Sequence, residues 1–184
     1  MVFNILNHIH ILMKTDTQLA DYLLLKFSDI LRYQLYHCSQ NLVPLGQDID
    51  HLQNLVEVEK LRWGNELEVS ADWNIGNKRL SIAPLLLVPF IENAFKYVCR
   101  LPGHKGYVKI SCMEKDRFLF FYVENCYSEL ALHKKKEGAG GIGLHNVQKR
   151  LKLQYPDAHE LTIQTDHNVY KVTLTLQLSD NNEQ

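Results

Sequence analysis

The 184-residue sequence predicts an α+β chain: a helical segment over residues 1–65, an α/β sandwich over 66–178 and a disordered tail over 179–184. Three observations carry this. Apolar residues recur at intervals of three and four through the first third of the chain, the spacing of helices with one buried face. From Glu66 the rhythm changes to alternation, the mark of half-buried strands. Two later stretches, one following Pro84 and one running from Ile142 to Tyr155, return to helical spacing. With 46% hydrophobic residues, a chain of this length can bury a real core.

In chain order, Phe3, Leu6, Ile9 and Met13 begin a helix that ends near Lys14, and Asp16 or Thr17 can cap the next one. That second helix carries Leu19, Leu23, Phe27, Ile30, Leu31 and Leu35. Its aromatic residues Tyr22, Tyr33 and Tyr36 lie beyond a single stripe and leave apolar surface for a partner, so a homodimer is expected. Pro44 opens a third helix with Ile49, Leu52, Val56 and Leu61 on one side. The segment ELEVSADW reads as a strand. YVKISCM and RFLFFYVEN form an antiparallel pair turning at Glu114–Asp116, and ELTIQTD and VYKVTLTLQL form a hairpin about His167–Asn168.

Composition excludes several classes of function. The formal net charge of −1 provides no broad basic surface for nucleic acid. The four cysteines, Cys38, Cys99, Cys112 and Cys126, form no C-x-x-C pair and read as reduced thiols. The longest apolar run, Ile82 to Ile91, is about half a membrane span and contains two prolines. The N-terminus lacks the features of a signal peptide. Its helical spacing from the first residues reads as a helix cut within a longer protein.

Two stretches point to chemistry. In PFIENAFKYV, helical geometry gathers Glu92, Asn93, Lys96 and Tyr97 on one side and Leu87, Phe90, Ile91, Ala94, Phe95 and Val98 on the other. The glycines of Gly138-Ala139-Gly140-Gly141-Ile142-Gly143-Leu144 precede a helix, where backbone N–H groups can approach an anion. Together they make a candidate phosphate site: Asn93 can offer a neutral oxygen to Mg²⁺, Lys96 a point charge to phosphate oxygens, and Glu92 a carboxylate to orient a nucleophile or relay a proton.

These residues carry a resemblance. PFIENAFKY resembles the N-box, and GGIGLHNVQKRL the glycine-rich box, of the ATPase superfamily that joins gyrase, heat-shock chaperone, mismatch-repair and histidine-kinase ATP-binding domains. More narrowly, the ordered segments FSDILRYQL, VPLGQDIDHLQNLVEVEKLRW, IAPLLLVPFIENAFKY and GIGLHNVQKRLKLQYP resemble LytS/YehU-type sensor histidine kinases over nearly the whole chain. The resemblance implies a Bergerat-type sandwich binding ATP and Mg²⁺, with Asn93 on the metal, Glu92 and Lys96 at the phosphates and Tyr97 beside them. Gly141, Ile142, Gly143 and Leu144 then shape the far wall, and Lys134, Lys135 and Lys136 lie in a lid. It further implies a response regulator as partner, one with a LytTR-type DNA-binding domain, and a membrane-anchored parent whose catalytic part lies on the cytoplasmic side of the bacterial inner membrane.

The sequence departs from that pattern twice. Where the family places an Asp followed by glycines, this chain has Val123-Glu124-Asn125-Cys126-Tyr127. Alternation puts Asn125 on the face of Leu119, Phe121 and Val123, so Asn125 takes the adenine position with a neutral acceptor and Glu124 points away. The family's phosphoacceptor histidine belongs to a Pro-His-Phe-Leu-Phe-Asn-x-Leu-Asn pattern whose last part matches Val2–Asn7. The register places that histidine before residue 1, leaving His8 and His10 as surface residues of the helix. No phosphoacceptor is therefore expected in this chain, nor autophosphorylation of it. The rival readings are a nucleotide-free pseudokinase acting by dimerisation and another ATPase of the superfamily.

Overall fold

The computed structural model describes residues 2–99, 105–127 and 142–180. Three helices come first: α1 (Val2–Thr15), α2 (Thr17–His37) and α3 (Leu45–Trp63). Asp16 separates the first two and caps α2, its side chain accepting from the Leu19 N–H at 3.0 Å. Gly64, at φ 54°, ends α3 in a conformation that glycine adopts without steric cost.

The inner face of α1 is formed by Ile5, His8, Ile9 and Leu12, while Phe3, Leu6, Ile11 and Met13 are exposed. In α2, Ala20, Leu23, Phe27 and Ile30 are buried, and Leu24, Leu25, Leu35 and Tyr36 face outward. Tyr22 and Tyr33 do not simply add outward surface as the sequence suggested. The Tyr22 hydroxyl donates to Glu57 and the Tyr33 hydroxyl to Asp48, both on α3. Lys26 adds bonds to Glu57 and Asn54, each at 2.9 Å. Packing against α1, α2 and the sandwich buries much of α3, including Asp48, His51 and Glu59, while Gln47, Asp50, Gln53 and Lys60 stay exposed.

The sandwich has a five-stranded sheet in the order β2 (Leu67–Ile75), β4 (Gly106–Lys115), β5 (Phe118–Cys126), β7 (Val169–Gln177), β6 (His159–Asp166). Strands β2 and β4 pair in parallel and the remaining neighbours are antiparallel. A separate two-residue pairing joins β1 (Val43–Pro44) to β3 (Ser81–Ile82). Between β3 and β4 lies α4 (Val88–Tyr97), and α5 (Ile142–Gln154) precedes β6.

One face of the sheet buries Val108, Ile110, Cys112, Leu119, Phe121, Val123, Val172 and Leu174 against the helices. Each such large side chain contributes about 1.5–3 kcal/mol by leaving water. Phe90 of α4 meets Phe121 of β5 at 6.0 Å between ring centroids, which seats α4 on the sheet. The other face carries the half-exposed Met113, Phe118 and Phe120. The segment expected as a disordered tail begins ordered: Ser179 accepts from the Ser81 N–H at 2.9 Å and Asp180 pairs with Arg117. No helix among the described residues is long and apolar enough to cross a membrane.

Candidate functional site

Helix α4 starts at Val88, four residues after Pro84, and Pro89 occupies its first turn, where a missing N–H costs nothing. Phe90, Ile91, Ala94 and Phe95 are buried; Glu92, Asn93 and Tyr97 are half-buried and Lys96 is exposed. The polar wedge is thus a real face of the helix, only partly open to water. Lys96 Nζ stands 5.1 Å from the centroid of the Tyr97 ring. Burial, reinforced by the Glu59 carboxylate and opposed by Lys96, holds the Glu92 pKa above its ordinary value. Asn93 Nδ2 is a buried donor with no acceptor.

At the end of β5, alternation places Asn125 inward and Glu124 on the opposite face. Glu124 accepts from the Tyr122 hydroxyl and lies 3.6 Å from Lys109 and 3.7 Å from Lys171. Burial alone would raise the Glu124 pKa, but the Tyr122 and Tyr107 hydroxyls and these lysines lower it. Asn125 is fully buried. Its Nδ2 donates to the Cys126 carbonyl at 2.9 Å, and its Oδ1 has no hydrogen-bond partner.

The surroundings of Asn125 are aromatic. Tyr170 lies opposite it in the β5–β7 register, its buried hydroxyl without a partner, and Tyr127 meets Tyr170 edge-on at 6.5 Å. Burial, with Tyr97 nearby, raises the Tyr170 pKa. Sequence reasoning missed Tyr127 and Tyr170: Tyr170 reaches Asn125 through the strand register, and Tyr127, two residues on from Asn125, gains significance only from its contact with Tyr170. The ends of α4 and β5 are also tied together: the Cys99 N–H donates to the Cys126 carbonyl at 3.2 Å, and the Cys126 thiol donates to the Cys99 carbonyl at 2.7 Å. Gly106 makes room for this tie, since a Cβ there would fall 2.6 Å from the Cys99 carbonyl oxygen.

On the far side, Gly143 and the half-buried Leu144 lie in the first turn of α5, and a methyl group at Gly143 would stand 3.9 Å from Pro89 Cβ. Helices α4 and α5 therefore start side by side. Ile142 begins α5; Gly141 and Lys134, Lys135 and Lys136 lie outside the described residues. On α1, His10 is exposed as expected, but His8 is not a free surface residue. It turns toward α3, its Nε2 is buried without a partner, and burial followed by the Arg62 charge lowers its pKa.

A histidine kinase family model matches residues 1–67, and a GHKL domain model matches residues 83–177, just over half of the chain. The chain belongs to the GHKL histidine kinase family. Sensor protein LytS of Oceanobacillus iheyensis is 26% identical over 174 residues, covering 89% of this chain and 30% of that protein. Sensor histidine kinase BtsS of Escherichia coli is 26% identical over 180 residues, covering 97% of this chain and 31% of that protein. The chain thus spans about a third of the length of these relatives.

Solved structures agree on the fold of the GHKL chain. The histidine kinase domain of the blue-light activated histidine kinase of Erythrobacter litoralis superposes with a TM-score of 0.52 at 13% identity, covering 86% of this chain and 72% of that one. The catalytic domain of histidine kinase ThkA gives 0.50 at 14% identity, covering 76% and 97% respectively. The N-terminal helices followed by a mixed sheet are therefore the fold expected from sequence.

Proposed function

We propose that this chain is the dimerisation and ATP-binding part of a two-component sensor histidine kinase, and that Mg-ATP binds between α4 and the start of α5. The observation that carries the reading is Asn125 Oδ1, a fully buried acceptor with no partner, with Tyr170 opposite it and Tyr127 against Tyr170. An orphaned buried acceptor costs about 1–3 kcal/mol, and an adenine amino group would satisfy it. Asn93 Nδ2 is a second orphan, on the side where the phosphates would lie.

On this reading Asn125 accepts from adenine, Asn93 holds the metal–phosphate group, Lys96 meets phosphate oxygens, and Glu92 orients the nucleophile or relays its proton. Tyr97, Gly141, Ile142, Gly143 and Leu144 line the site. Bound Mg²⁺ would neutralise charge developing on the phosphate oxygens. The raised pKa of Glu92 suits a proton-relaying carboxylate. Residues 1–65 serve dimerisation and 66–178 bind nucleotide.

The γ-phosphoryl group goes to a histidine upstream of Val2 and then to a response regulator of the LytTR class; the parent is membrane-anchored with this part on the cytoplasmic side. His8 and His10 are not acceptors in this reading, and the buried Nε2 of His8 supports that. The test is thermal denaturation with and without millimolar Mg-ATP. Ligand at 100 times its Kd stabilises by about 2.7 kcal/mol, which raises Tm by roughly 5–10 °C in a domain of this size. No shift at any nucleotide concentration would instead favour a nucleotide-free signalling module.

A further inference from the structure

The turn ahead of α4 is held by side chains from elsewhere in the fold. The Ala83 N–H donates to Tyr155 Oη at 2.8 Å, Arg150 Nη2 donates to the Pro84 carbonyl at 2.9 Å, and the Leu85 N–H donates to Asp48 Oδ1 at 2.9 Å. Leu85 sits at φ 60°, a left-handed conformation that a leucine keeps only when its surroundings impose it. Three residues later α4 begins, so the direction of that turn sets where Glu92, Asn93 and Lys96 point.

Asp48 does more than hold Leu85. It is fully buried in α3, and the same Oδ1 accepts the Tyr33 hydroxyl of α2 at 2.9 Å. The Tyr33 ring is itself fixed, lying 4.5 Å from the His51 ring at an interplanar angle of 17° and 4.5 Å from that of His37. One carboxylate oxygen thus joins α2 to the turn that launches α4. Neither bond would form with an apolar residue at position 48, and an otherwise buried carboxylate is costly to keep.

We propose that Asp48 is a positioning residue for the nucleotide site: by accepting from both Leu85 and Tyr33 it holds the left-handed turn that aims α4 and links that aim to the position of α2. The proposal rests on α4 being the nucleotide-binding helix. A displacement of α2 along its axis draws on the Tyr33–Asp48 bond, and through it on the side chain that holds the Leu85 amide. The helical segment and the ATP site are thus coupled through Asp48 and the turn ahead of α4.

The variants that test this are Asp48→Ala, Tyr33→Phe and the double variant Asp48→Ala with Leu85→Gly. Glycine takes φ +60° without strain, so it should restore the turn after the clamp is removed. Calorimetry with Mg-ATP is expected to show Kd raised about tenfold in Asp48→Ala and two- to fivefold in Tyr33→Phe. In the double variant Kd should recover most of the loss while Tm stays low, because the Leu85 side chain is gone. A role confined to general stability would lower affinity and Tm together and would not be rescued. Unchanged affinity in folded Asp48→Ala, or no recovery in the double variant, would overturn the proposal. Amide hydrogen exchange over residues 85–92 separates it from the ATP reading: faster exchange in Asp48→Ala, restored by Leu85→Gly, is expected even if the wild-type chain binds no nucleotide, and unaltered exchange would refute the clamp.

Discussion

The side-chain amide of Asn125 is anchored to the carbonyl oxygen of Cys126 at 2.9 Å, and this bond decides which end of the amide is left over for a ligand. Nδ2 is engaged, so Oδ1 is the free end and can only accept. Replacing Asn125 with alanine removes that acceptor. Kd for Mg-ATP should rise about five- to tenfold, the worth of one neutral hydrogen bond. Isothermal calorimetry measures it, and an unchanged Kd would show that Asn125 does not meet the base.

Asn93→Ala and Lys96→Ala address the phosphate end. Lys96 is exposed, so its loss should change stability by no more than about 0.5 kcal/mol while weakening ATP binding severalfold. Asn93→Ala should make binding insensitive to Mg²⁺ over the range where wild type responds. Titrations with and without a chelator test both, and wild-type binding indifferent to the metal would contradict the assignment.

Leu24 and Leu35 stand three turns apart on one stripe of α2, 49% and 75% exposed, with Leu25 and Tyr36 beside them. Such a stripe on a helix already packed on its other side favours a second copy. The double substitution Leu24→Glu and Leu35→Glu should convert a dimer into a monomer with little change in the fold. Light scattering at micromolar concentration reports this; a wild-type monomer would remove the claim.

His51 makes the fold sensitive to mild acid. Burial, with the His37 charge nearby, pushes its pKa down to about 4 from 6.5, so the unfolded chain binds a proton in that window that the folded chain refuses. The His51 contribution to stability is complete above about pH 6.5 and is lost as pH falls toward 4. Between pH 7.5 and pH 5 the loss should be about 2 kcal/mol. Urea denaturation across that range checks it, and His51→Phe, which keeps a ring against Tyr33, should flatten the dependence.

Much of this architecture was legible because it rests on one-sided burial. Periodicity located the polar wedge of α4, and strand alternation turned Asn125 inward and Glu124 toward Lys109 and Lys171. What was not legible depends on two-sided or long-range packing. Periodicity in α3 marks Ile49, Leu52 and Val56 but gives no sign that the polar Asp48, His51 and Glu59 are also buried, Asp48 and His51 against Tyr33 of α2. The β1–β3 pairing involves two residues in each strand, too short for any periodicity. Tyr170 reaches Asn125 only through the register of non-consecutive strands, which local sequence does not encode.

The central claim is that an adenine nucleotide binds with its amino group on Asn125. The most direct measurement is calorimetric titration of the wild-type chain with Mg-ATP and, separately, Mg-GTP. Guanine presents a carbonyl where adenine presents an amino group. To receive it, the Asn125 amide would have to turn over and give up its bond to Cys126. Saturable binding of Mg-ATP with Mg-GTP at least tenfold weaker is the expected result. No binding of Mg-ATP, or equal binding of the two, would contradict the account.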